Sequence, residues 1–135
     1  MNALRILFKT NRFNLSRVGE HFINPCCFGE DLASWLGINL SERDVEVREP
    51  YQEDWGWELA ATQESDSYYL CMSGNSDESS TNKDEGEWGI IVEKRRSLGQ
   101  RLRGAGKIAE NDKMVRTIEE ILRAEPAIRE VHREE

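Results

Sequence analysis

The stretch Trp55-Gly56-Trp57-Glu58-Leu59-Ala60-Ala61-Thr62-Gln63-Glu64-Ser65-Asp66-Ser67-Tyr68-Tyr69-Leu70-Cys71-Met72 decides the fold. In an extended chain Trp55, Trp57, Leu59 and Ala61 point one way and Gly56, Glu58 and Ala60 the other, which predicts a strand with an aromatic face. Residues 63–67 are polar and of hairpin-loop length, so residues 68–72 read as the return strand. Further on, Trp88, Ile90 and Val92 share one side and Gly89 and Ile91 the other. A strand apolar on both sides is a central one, and the three strands form a meander.

Upstream, Val45 and Val47 alternate with Glu46 and Arg48 until Pro50, predicting a short strand with one wet face. Residues 29–42 place Leu32, Trp35, Leu36 and Leu40 at helical spacings, with Glu30 and Asp31 in the favourable first turn and Gly37 as a weak point. Residues 5–9 are an optional strand. Downstream, Asn111 or Asp112 can cap a second helix. Its apolar stripe is Met114, Ile118, Ile121 and Leu122, opposed by Lys113, Glu119, Glu120 and Arg123, and Pro126 ends it. Residues 127–132 can add a closing strand. The expected fold class is α+β, a largely antiparallel sheet of four to six strands with two helices packed on one face.

A chain of 135 residues fits a single domain, 1–135. Residues 74–87 are acidic with almost nothing apolar, which predicts a mobile loop. A basic glycine-containing loop is expected at 97–110. From Lys94 to Lys107 there are six basic residues (Lys94, Arg95, Arg96, Arg101, Arg103, Lys107) and no acidic one. The chain as a whole carries a net charge of −8, which disfavours general affinity for nucleic acid or anionic lipid. The sequence holds no apolar run of about 18 residues and no secretory leader, so no membrane association and a cytoplasmic location are expected.

Three cysteines, Cys26, Cys27 and Cys71, are odd in number and two are adjacent. That is a poor disulfide framework, and reduced thiols are expected. Adjacent cysteines also make an awkward zinc pair with Cys71 and His21, so no metal site is assigned. A catalytic thiol at Cys26 or Cys27, with His21 or His132 as base, has no spacing to support it, and Cys71 within a strand reads as buried and inert.

Three pieces of the chain carry a resemblance: Cys27-Phe28-Gly29-Glu30-Asp31-Leu32-Ala33 with Trp35-Leu36, Gln52-Glu53-Asp54-Trp55-Gly56-Trp57, and Trp88 followed by Glu93-Lys94-Arg95-Arg96-Ser97. Together, over residues 22–132, they resemble an uncharacterised family of small bacterial proteins with an F-G-x-D helix start and a Q-E-D-x-G-W strand motif. The resemblance implies the element order and a bacterial cytoplasmic origin. It carries no activity and no functional residue.

The densest polar and aromatic cluster is Gln52, Glu53, Asp54, Trp55 and Trp57 at a loop-to-strand junction. Paired carboxylates there, joined by Glu93, can hold a hard cation or share acid and base roles. Against this, adjacent Glu53 and Asp54 cannot both point inward from an extended backbone, and Trp55, Trp57 and Trp88 serve equally well as core. The basic loop echoes a phosphate-binding loop at Gly106-Lys107, but Arg101 and Ile108 stand where glycine and Ser or Thr are required.

The sequence reading therefore favours a protein-interaction or inhibitor-like domain without a cofactor. Its binding surface would use Trp55, Trp57, Trp88, Arg95, Arg96 and Arg101. The alternative is a small hydrolase or metal-assisted enzyme built on Glu53, Asp54 and Glu93, with Arg95 holding an anion. Substrate, partner and oligomeric state are not legible in the sequence.

Overall fold

The computed structural model describes residues 3–23, 27–103 and 108–134. In chain order the elements are β1 (Ala3–Thr10), α1 (Glu30–Ser41), β2 (Glu46–Val47), β3 (Tyr51–Glu53), β4 (Gly56–Gln63), β5 (Asp66–Ser76), β6 (Gly86–Lys94), α2 (Leu98–Leu102), α3 (Lys113–Ala124) and β7 (Ile128–Arg133). All strand pairs are antiparallel, in the order β2-β4-β5-β6-β1-β7, and β3 also pairs with β4. The fold is thus α+β, with seven strands and three helices among the described residues.

Parity along the strands sorts the side chains. Leu59, Leu70, Met72, Trp88, Ile90, Val92, Ile6 and Phe8 all turn to one side, where they meet Leu32, Leu36 and Leu40 of α1 and Met114, Val115, Ile118 and Leu122 of α3 in one buried core. Each such side chain stabilises the fold by about 1.5–3 kcal/mol relative to exposure. At the start of α1, Gly29 has φ 139°, a conformation that favours glycine, and the acidic first turn follows it.

Asp112 organises the opposite corner. Its carboxylate accepts from the backbone N–H of Met114 at 2.9 Å, capping α3, and from the Tyr68 hydroxyl at 3.1 Å. Lys94 lies 3.7 Å from it and bridges to Asp66. Midway along α3, Glu119 is only 6% exposed and takes two hydrogen bonds from Arg133 of β7, at 2.8 and 2.9 Å.

Several boundaries differ from expectation. The strand placed from Trp55 begins at Gly56, because β3 folds back on β4 and leaves Asp54 and Trp55 as a two-residue turn. The strand read up to Pro50 contains only Glu46 and Val47. The hairpin loop after β4 shrinks to Glu64 and Ser65, with Glu64 at φ 58°. The optional strand at 5–9 is real and lies inside the sheet, between β6 and β7.

The acidic segment is shorter than 74–87. Gly74, Asn75 and Ser76 pair with Trp88, Glu87 and Gly86, since a glycine at 74 leaves room for the Trp88 ring. The rest is tied down by Asp84, whose carboxylate accepts from the Leu15 N–H at 3.0 Å and the Ser16 hydroxyl at 2.8 Å. The loop expected at 97–110 contains α2, which Ser97 and Gln100 cap reciprocally, while residues 104–107 lie outside the described residues. Cys27 is disulfide-bonded and Cys71 free, which corrects the expectation of reduced thiols at Cys27; Cys26 lies outside the described residues.

Two substitutions test this packing. A β-carbon on Gly74 would sit 2.6 Å from the Trp88 ring, so Gly74→Ala is expected to cost about 1–3 kcal/mol in urea denaturation. The hydrogen bonds from Arg133 hold the Glu119 carboxyl below its usual range. The stability they confer is therefore present above the unfolded carboxylate pKa and fades as pH falls through the lowered folded value. Arg133→Gln should cost about 2 kcal/mol at neutral pH, less than for a fully buried pair because Arg133 is partly exposed, and should flatten the acid limb of the stability profile.

Candidate functional site

The second face of the sheet carries neither α1 nor α3. Reading straight across it, Tyr51, Glu58, Cys71, Ile91 and Arg5 form one row of paired residues. The next row is Ala60, Tyr69, Glu93 and Ala3. Another contains Ser73, Gly89, Leu7 and His132. Tyr51 and Ile91 are exposed, Ile91 at 38%, and Trp55 at the end of the β3–β4 hairpin is 45% exposed.

Within this face the carboxylates surround a thiol. Cys71 Sγ donates to Glu58 at 3.6 Å, and Glu93 and Glu53 also act on it. Partial burial, then the Glu58 charge, push the Cys71 thiol up to about 12. Burial likewise raises the Glu58 carboxyl, helped by the nearby Glu93 charge and opposed by the thiol hydrogen bond. A thiol held protonated in this way is a poor nucleophile. The arrangement makes a negatively charged patch rather than a reactive centre.

Strand pairing separates the predicted carboxylates. Glu53 on β3 and Glu93 on β6 are three strands apart, roughly 14 Å at the usual spacing, and Asp54 is in the turn. Glu58 stands between them and was not singled out in the sequence, although its parity, opposite to Trp57 and Leu59, puts it on the wet face. Among the described residues no three His, Cys, Asp or Glu side chains gather as metal ligands. Trp57 and Trp88 are core residues, so of the three candidate binding tryptophans only Trp55 is presented to solvent.

Arg95 lies over the Tyr69 ring at 5.1 Å, which brings it onto the open face. Arg96 is half-buried and Arg101 is exposed on α2, whose Leu98 and Leu102 are also exposed. On the helix side, an apolar recess of about 560 Å³ runs between α1 and the β2–β4 edge, lined by Ala33, Gly37, Ile38, Val47 and Leu59. No helix among the described residues is long and apolar enough to cross a membrane. Compared with family models, curated proteins and solved structures, the chain matches none.

The electrostatic origin of the unreactive thiol can be measured. Glu58→Gln removes one of the charges that oppose the thiolate, so alkylation of Cys71 at mildly alkaline pH, followed by peptide mass mapping, should accelerate about fivefold to tenfold. Because burial is the larger cause, Cys71 should still react more slowly than after unfolding.

Proposed function

We propose that the protein is an interaction or inhibitor-like domain that binds a basic protein partner through the open face of its sheet. The supporting observation is that face itself: Tyr51, Trp55 and Ile91 are exposed around Glu53, Glu58 and Glu93, with no helix of the described residues laid over them. Aromatic side chains supply contact area at low entropic cost, and a negative surround steers and selects a positively charged surface. The same charge repels nucleic acid. A cytoplasmic site of action belongs to this proposal.

A hydrolase or metal-assisted enzyme has less support. Its three carboxylates are spread over β3, the following turn and β6, and the Cys71 thiol is held protonated.

Charge reversal tests the reading. Partners captured by the native protein should be lost with Glu58→Lys/Glu93→Lys, with affinity lowered about tenfold or more at low ionic strength. They should be retained by Glu120→Lys, on the solvent side of α3. Identical capture by all three proteins would remove the open face from consideration.

A further inference from the structure

Beyond the carboxylates, on the same side of the sheet, a polar recess of about 200 Å³ opens where β2 and β4 meet the start of β5. Thr62, Ser67 and Tyr69 line it, Arg48 and Arg95 stand on either side, and Glu46 is its one carboxylate. Both arginines are anchored through their backbones. The Arg48 N–H donates to the Ala60 carbonyl at 3.0 Å and the Arg95 N–H to the Ser67 carbonyl at 2.9 Å. Stacking over Tyr69 also orients the Arg95 guanidinium.

What sets these two arginines apart is that they share one recess in a chain with a net charge of −8. Neither makes an ion pair among the described residues. Of the acidic groups nearby, Asp66 is engaged with Lys94 at 3.6 Å and Lys113 at 2.9 Å, Glu64 with Lys113 at 3.2 Å, and Asp112 with Lys94 at 3.7 Å, whereas Glu46 in the recess and Glu93, paired across from Tyr69, form no ion pair with either arginine among the described residues. The Thr62 and Ser67 hydroxyls hydrogen-bond to each other at 3.3 Å beside two guanidinium forks; the accepting hydroxyl keeps its own proton for an incoming anion, and the other can turn outward to it.

We propose that this recess binds the phosphate group of a small phosphate monoester, with Arg48 and Arg95 supplying the positive charge and the Thr62 and Ser67 hydroxyls donating to the remaining oxygens. A tetrahedral oxyanion uses donors arriving from several directions, whereas a planar carboxylate is satisfied by one fork in one plane. The small volume limits the ligand to the phosphate and a modest organic group. Glu46 opposes the anion and keeps binding weak. The proposal does not rest on the protein-binding reading, and the recess lies toward the other end of the face, adjoining it where Tyr69 pairs with Glu93.

Phenyl phosphate is a suitable probe, measured by calorimetry at low ionic strength and by backbone amide shifts. Binding should move the amides of Thr62, Ser67 and Tyr69 and be tighter than that of benzoate. Arg48→Gln and Arg95→Gln should each weaken it about tenfold, and Glu46→Gln should tighten it. Both arginines are exposed, so the variants should keep the native melting curve, which is checked in parallel. An unchanged affinity in the double arginine variant, shifts confined to other residues, or no binding at millimolar probe would overturn the proposal.

Discussion

A sheet that helices cover on only one side must sort its side chains by parity, and that constraint governs the rest of this molecule. Along β4, β5 and β6 the apolar residues that face α1 and α3 alternate with residues of the opposite face, which are mostly half-buried or exposed, with Gly56 and Gly89 buried. A slip of one residue between β5 and β6 would turn one of them over, driving Trp88 into solvent and Glu93 into the core, or Leu70 out and Tyr69 in. Register is therefore defended by the whole burial energy of the core, and the positions of Glu58, Cys71 and Glu93 on the open face are fixed by the residues behind them.

Parity is also why much of the fold was legible. The alternation at Trp57, Leu59 and Ala61 and at Trp88, Ile90 and Val92, the cap at Asp112 and the stop at Pro126 each carry their signal within a few residues. What was not legible depends on contacts between distant segments. Ala3–Thr10 mixes Arg5, Lys9 and Thr10 with its apolar residues, and only pairing with β6 and β7 makes it an inner strand. Trp55 continues an aromatic alternation, yet β3 turns back on β4 just there and takes it out of the strand. For the site, the run Glu53-Asp54 drew notice because it is dense in sequence. Glu58 meets Cys71 across a strand, where sequence density says nothing.

The charges are distributed as neutralised clusters and unneutralised ones. Lys94 and Lys113 bind Asp66, Glu64 and Asp112 where α3 starts, and Arg133 locks Glu119 where α3 and β7 meet. These contacts join helix to sheet and pair nearly all of the charge they bring together. The open face is different, with carboxylates massed around Cys71 and two arginines standing apart near Tyr69. Like charges gathered in this way, Glu58 with Glu93 and Arg48 with Arg95, cost stability in the isolated molecule and favour an oppositely charged visitor.

The sheet's outer strands bear on how another molecule could approach. On one side the border is broken into β2 and β3 around Pro50, neither longer than three residues. On the other it is β7, charged at Arg129, Glu130 and Arg133 and kinked at Glu130, φ 55°, where its register against β1 slips. Neither border presents an unbroken ladder of free amides and carbonyls, so strand-by-strand growth into fibrils or swapped dimers is discouraged. A visitor has to land flat on the sheet, where recognition falls to side chains and not to the backbone.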